Sequence, residues 1–234
     1  ALLSVSDFTK EEILDFAPKI PEKKITRIWN GIEKERFQNI DLRKKSCFQK
    51  KFGETFFLVA GVWREHKNVV GAIRAFEIFR EKGEKGRLVI TGREDKHYPE
   101  VREMSEKSPF SEDILLTGYI PFEDIPALIS ASTALIFPSF AEGSGLPLLE
   151  AMAANTPVLC SNTSSLPEVG GDACLYFDPK NTKEIAQSMK KILQKEEQVL
   201  LQKKGQKRLH LFSWDEAAQE TQMAFERMEE NMVE

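Results

Sequence analysis

Ala134-Leu135-Ile136-Phe137-Pro138 runs through Ser139-Phe140-Ala141-Glu142-Gly143-Ser144-Gly145 into Leu146-Pro147-Leu148-Leu149-Glu150-Ala151-Met152-Ala153-Ala154. The opening apolar run reads as a short strand buried on both faces, as in a parallel sheet. The closing run reads as a helix. Pro147 suits the first helical position, where its missing N–H would be an orphan in any case. Gly143 and Gly145 allow close backbone approach and a positive φ in the turn between. Free amides at that helix start, with the positive end of the macrodipole, form a site for an anion such as a diphosphate. Glu142 lies in the turn and Glu150 about one turn into the helix, so both carboxylates are expected at the rim of one pocket. Phosphate-binding amides beside carboxylates that accept hydroxyl protons suit a nucleotide sugar. A glutamate in a first helical turn also stabilises the dipole without any ligand, and that reading stays open on this segment alone.

The same strand–helix alternation extends outward. Apolar runs predict strands at 56–61, 87–91, 114–117, 134–138, 157–161 and 173–177. Helical patterns separate them, at 68–82 with Val69, Ile73, Phe76 and Phe79 three or four apart, and at 122–131, 146–154 and 182–193. Such alternation implies an α/β fold, a doubly wound six-stranded parallel sheet covered on both faces. Ligands of that fold bind outside the carboxyl ends of the strands. Lys67 follows the first strand, Gly92 and Arg93 the second, Gly118, Tyr119 and Ile120 the third, and Ser139 to Gly145 the fourth.

The ends differ in kind. Residues 1–40 hold a strand at 2–6, a helix at 10–16 capped by Thr9, and a strand at 24–29. Residues 32–54 are polar and Lys-rich and read as a linker. From Ser213 onward, Trp214, Ala217, Ala218, Thr221, Phe225 and Met228 share one helical face. Ser213 with Glu216 forms a capping box at its start.

Bulk properties narrow the class. The chain has 234 residues, 41% hydrophobic and 30% charged, with a formal net charge of −4, which gives no global attraction to nucleic acid. No apolar run approaches the roughly 20 residues that span a bilayer. The scattered Cys47, Cys160 and Cys174 lack metal-ligand spacing and read as buried reduced thiols of a cytoplasmic protein. No Asp-x-Asp pair is present to hold a metal, so neither a metal nor a cofactor is expected.

The segment from Glu142 to Glu150, with Gly143, Gly145 and Pro147 between, resembles the E-x7-E signature of retaining glycosyltransferases of family GT4, which have the GT-B fold. Thr156-Pro157-Val158, Ser161-Asn162-Thr163-Ser164-Ser165-Leu166-Pro167-Glu168-Val169 and Gly171-Asp172-Ala173 continue the resemblance. So do Gly61-Val62-Trp63-Arg64-Glu65-His66-Lys67-Asn68 and the junction elements Val5-Ser6-Asp7-Phe8-Thr9-Lys10 and Ile28-Trp29-Asn30-Gly31-Ile32.

The resemblance implies three parts. Residues 1–40 would be the tail of an N-terminal acceptor domain. Residues 41–212 would be a Rossmann-like, C-terminal donor domain. Residues 213–234 would be a helix crossing back toward the first domain. Most of the acceptor domain would lie outside the chain, which starts at Ala1 without an initiating Met and is expected to be a truncated piece. Lys67 and, less directly, Arg64 would stabilise the departing phosphates. In the family an Arg often follows the glycine directly, where Val62 stands here. Glu142 would sit near the donor sugar, and Glu150 would accept from ribose hydroxyls. The amides of Gly143, Ser144, Gly145 and Leu146 would bind phosphate and sugar. Tyr119 and Ile120 would face the nucleobase, although Tyr119 reads equally well as a surface ring. Gly92, Arg93 and Ser139 would line the same crevice.

The implied activity is metal-independent hexosyl transfer from a nucleotide-diphosphate sugar, with a lean toward GDP-mannose. The acceptor would be a glycan or lipid-linked glycan in surface polysaccharide synthesis, at the cytoplasmic membrane face through peripheral association. The rival expectation is a non-catalytic nucleotide-sugar binding module, or a half-enzyme that needs a separate acceptor domain.

Overall fold

The computed structural model describes residues 2–95 and 98–233, with side chains described as far as 227. A two-stranded parallel sheet opens the chain: β1 (Leu2–Ser4), α1 (Asp7–Phe16) and β2 (Ile25–Arg27), with β1 paired to β2. Then come α2 (Lys34–Gln38), α3 (Leu42–Phe52), β3 (Phe56–Ala60), α4 (Val69–Glu81), β4 (Arg87–Thr91), α5 (Glu100–Lys107), β5 (Ile114–Gly118), α6 (Ile125–Ala131) and β6 (Ala134–Phe137). The remainder is α7 (Leu146–Ala153), β7 (Val158–Ser161), α8 (Leu166–Gly170), β8 (Cys174–Phe177), α9 (Thr182–Lys191), α10 (Lys195–Arg208) and α11 (Trp214–Val233).

The six strands β3 to β8 form one parallel sheet in the order β5-β4-β3-β6-β7-β8. The order runs one way from β3 to β5 and the other way from β6 to β8, so the switch point lies between β3 and β6. Each of the six expected strands is present, with ends within one residue of the apolar runs. Phe56, Phe57 and Leu58 are fully buried, each worth about 1.5–3 kcal/mol of apolar transfer. Alternating residues of the strands feed two cores. One packs under α2, α3, α6, α7 and α8, with Phe37, Phe52, Leu148 and Leu166. The other packs under α4, α5 and α9, with Phe76, Phe79, Val101 and Ile185.

Four features depart from the sequence reading. Residues 32–54 are not a linker. They fold into α2 and α3, because Phe37 and Phe52 are each 1% exposed in the first core and outweigh the surrounding lysines. Thus α2, inside the segment assigned to the first unit, shares the core of the large sheet. The helix at 7–16 starts earlier than expected, since Ser6 and not Thr9 is its cap and accepts from the Thr9 amide at 3.0 Å. Helix α5 carries only Val101 and Ser105 to the core and had no apolar signature. Cys47 is exposed, while Cys160 and Cys174 are buried as expected.

Helix α11 begins as expected, with the Glu216 amide donating to Ser213 Oγ at 3.3 Å. It lies against the small sheet, where Ile28, Trp29 and Leu3 share a groove with Trp214, Ala217 and Thr221. Met228 lies outside the described side chains. The contact at its start is close: a Cβ on Gly31 would come within 2.2 Å of the Trp214 backbone nitrogen.

Candidate functional site

The carboxyl ends of β3 and β6, neighbours at the switch point, deliver the two loops that matter most. After β3, the chain passes through Gly61 to a single 3-10 turn at Glu65–Lys67 and then to Asn68, which adopts the left-handed conformation at φ 51°. Asparagine tolerates that region better than most residues. The Asn68 side-chain amide donates to Pro138 O at 3.1 Å and Pro179 O at 2.8 Å, which pins the loops after β6 and β8 to the start of α4. Gly71 leaves room for that amide, since a Cβ there would meet Asn68 Oδ1 at 2.4 Å. The Phe140 amide donates to His66 O at 2.8 Å. Lys67 is therefore placed by backbone contacts on both sides.

Lys67 Nζ donates to Glu142 Oε1 at 2.6 Å, with the two side chains 25% and 12% exposed. The ammonium also sits 5.4 Å from the centroid of the Phe137 ring. Glu142 is held in turn by the loop after β7. Its amide donates to Ser164 Oγ at 3.0 Å, and its carbonyl accepts from Ser165 Oγ at 2.8 Å. Next to Lys67 is Ser139, 1% exposed, whose hydroxyl has no hydrogen-bond partner. Both line a small enclosed pocket with Val59, Gly61 and Phe137.

Helix α7 starts at Leu146, with Pro147 as its second residue and Gly145 as a left-handed cap at φ 67°. No side chain caps it; Pro147 has no N–H and the Leu148 amide donates to Gly145 O at 2.9 Å, so it is the Leu146 amide that faces the turn. Gly143, by contrast, has no left-handed φ, and a Cβ there would meet Thr9 and Val5 at an ordinary 3.7 Å, so neither conformation nor space demands glycine. Its carbonyl accepts weakly from Thr9 Oγ1 at 3.4 Å, and Ser144 Oγ accepts from Asn30 Nδ2 at 2.9 Å. The segment 1–31 thus touches the turn directly.

The two glutamates occupy different stations. Glu150 is half-buried on α7, and burial pushes its carboxyl above the usual range, partly offset by the Arg36 guanidinium of α2. Arg36 is a residue that the sequence reading missed. Its Nη2 donates to Phe122 O at 2.6 Å, and its guanidinium lies over the Phe122 ring at 3.1 Å. Tyr119, 77% exposed, and Ile120 sit in the same loop beyond Gly118. Arg64 turns aside, 61% exposed and 3.6 Å from Asp95. The Arg93 side chain is exposed, while its carbonyl accepts from the Trp63 amide at 3.0 Å. Gly92 is required by geometry: at φ 119°, a Cβ would lie 1.8 Å from Gly61 O.

The structure therefore brings Lys67 together with Glu142 and Ser139. Arg36 meets the 118–122 loop at Phe122, and Arg64 turns to Asp95. Among the described residues, no group of three His, Cys, Asp or Glu side chains is arranged to hold a metal ion, and no helix is long and apolar enough to cross a membrane.

The fold is that of GT-B glycosyltransferases. The crystal structure of a glycosyltransferase from Rickettsia africae superposes with a TM-score of 0.83 over 96% of this chain and 62% of that one, at 20% identity. Among curated proteins, O-antigen chain mannosyltransferase B of Escherichia coli is 30% identical over 230 residues, and O-antigen chain mannosyltransferase RfbU of Salmonella typhimurium is 28% identical over 193. These alignments cover 96% and 82% of this chain but only 60% and 51% of those proteins, so the chain spans little more than half their length. The sequence profile of the family described as Glycosyl transferases group 1 matches residues 42–208, from the start of α3 to the end of α10, and the chain belongs to that family.

Proposed function

We propose that this chain is the donor-binding part of a retaining, metal-independent hexosyltransferase that uses a nucleotide-diphosphate sugar. The observation that carries the reading is the Lys67 ammonium paired with Glu142 in the turn that leads into α7, on loops that leave the adjacent strands β3 and β6 at the switch point of the sheet. A cation and helix amides aimed at one spot stabilise charge that develops on a departing diphosphate. In the reaction, the bond between the anomeric carbon and the phosphate oxygen breaks. The acceptor hydroxyl bonds to that carbon from the same face and passes its proton to the leaving phosphate oxygen. Glu142 lies where a carboxylate supports positive charge growing on the sugar, and Glu150 accepts from ribose hydroxyls.

The donor we propose is GDP-mannose, and the acceptor a glycan or lipid-linked glycan of surface polysaccharide synthesis, met at the cytoplasmic membrane face. The names of the relatives, O-antigen chain mannosyltransferases, support the mannosyl group and the polysaccharide acceptor. The test is a melting series with GDP, UDP and ADP, because a ligand that binds only the native state raises the melting temperature. GDP should shift it most, and no shift with any of the three removes the reading. Transfer assays with EDTA should show full activity, and strict dependence on added divalent ions overturns metal independence.

A second reading is favoured by the coverage of just 60% and 51% of the mannosyltransferases. By itself the chain would then bind donor without turnover. Donor hydrolysis and transfer, measured with and without an added N-terminal domain, separate the two.

A further inference from the structure

Glu150 is half-buried on α7, where burial pushes its carboxyl up and the Arg36 guanidinium partly offsets that rise. Arg36 belongs to a short helix, α2, that is fixed by the neighbouring Phe37, 1% exposed in the core beneath α7. From that anchored backbone the guanidinium reaches the loop after β5. It donates to Phe122 O at 2.6 Å and covers the Phe122 ring at 3.1 Å. One planar cation thus ties α2 to the loop after β5, and α2 itself packs against α7.

The geometry points to Arg36 as a positioning residue for the nucleoside end of the donor: it braces the 118–122 loop through Phe122 and keeps the Glu150 carboxylate ready to accept from ribose hydroxyls. The inference rests on the donor site proposed above and names a residue outside the segments quoted for the family resemblance. Arginine suits the task because its fork donates in one direction while its face stacks in another. A lysine could supply charge but not both contacts.

The other groups near Glu150 do not compete for this role. Helix α6 carries no charge, and Glu150 is the sole charged residue of α7. The 118–121 segment is uncharged. Beyond it, Glu123 belongs to the following 3-10 turn, and Asp124 is paired with Lys44 of α3. On α2 itself, Lys34 and Glu35 flank Arg36. Glu168 of α8 is engaged with Asp7, Phe8 and Trp29. Helix α10 meets α7 through Gln206, which donates to Met152 O at 2.7 Å.

The experiment is calorimetric titration of GDP, UDP and ADP from pH 5 to 8 into wild type, R36K, R36M, E150Q and the R36M/E150Q double variant. Melting curves check that each is folded. Without the cation, Glu150 is protonated at higher pH. R36M should therefore lose about tenfold in affinity at neutral pH, with the acid limb of its binding profile moved upward. R36K should restore the limb but not the full affinity. In E150Q the limb should vanish, and adding R36M should not bring it back. An R36M profile that matches wild type overturns the role of Arg36 while leaving the donor site intact. An acid limb that persists in E150Q also overturns it, because the titrating group is then another. Absence of nucleotide binding by wild type removes the donor site and this role together.

Discussion

Lys67 and Glu142, 75 residues apart in sequence, form an ion pair at 2.6 Å across the mouth of the sheet. A diphosphate entering there competes with the Glu142 carboxylate for the same ammonium. Glu142→Gln should therefore bind nucleoside diphosphate about two- to fivefold more tightly, the scale of a partly exposed pair, while transfer to acceptor falls. Lys67→Met should weaken binding on the order of 10- to 100-fold, as loss of charge-assisted bonds predicts. Calorimetry on both variants checks the pair of outcomes, and weaker binding by Glu142→Gln would show that the glutamate only orients the lysine.

Glu150 gives the opposite balance between stability and function. Burial raises its folded pKa above the unfolded value, so the native state holds the proton over a window in which the unfolded chain has lost it. That contribution to stability is present at acid pH and declines as pH rises through the window. Glu150→Gln removes the cost and should raise the melting temperature at pH 7 by about 1–4 °C, with weaker nucleotide binding. Scanning calorimetry at pH 4.5 and 7 should show the gain shrinking at the lower value.

Glu168 ties the first segment to the large sheet. Its carboxylate accepts from the Asp7 amide at 2.9 Å, the Phe8 amide at 3.3 Å and the Trp29 indole at 2.6 Å. A carboxylate at the start of α1 also complements that helix's dipole. Glu168→Ala should cost about 1–3 kcal/mol locally, read as faster amide exchange over residues 7–16. Nucleotide affinity should be unchanged, since the carboxylate is engaged by Asp7, Phe8 and Trp29 and not by Lys67 or Glu142.

Gly92→Ala tests the crossing of the β3 and β4 loops. The added Cβ would overlap Gly61 O at 1.8 Å, at a φ that L-residues avoid. We expect a loss of about 3–5 kcal/mol in urea unfolding. A loss under 1 kcal/mol would mean that the Gly61 loop yields easily.

The four inner strands were legible because they bury both faces, which leaves a continuous apolar run, and the half-buried edge strands β5 and β8 keep the same apolar composition. Helix α4 was legible for a related reason, with Val69, Ile73, Phe76 and Phe79 all on the buried side. Helices α2 and α3 were hidden because one or two phenylalanines carry their burial while lysines and glutamates fill the rest. In the site, Lys67 and Glu142 could be brought together from topology, since their loops leave adjacent strands. Arg36 could not. It sits in a stretch that looked like solvent-exposed chain, and its partners are the carbonyl and ring of Phe122, neither of which carries a charge to match it. Arg64 shows the converse, for a cation three residues from Lys67 turns toward Asp95 once the 3-10 turn is built.

The near-touching of Gly31 and Trp214 has a mechanical meaning. The polypeptide enters the six-stranded layer and leaves it at one spot, so both passages share a pivot. A twist of the leading segment would have to turn the two strands of backbone in concert, like a door hung on paired pins set side by side. Replacing the lone hydrogen of Gly31 with a methyl would wedge that pivot apart and change the angle at which everything ahead of it stands.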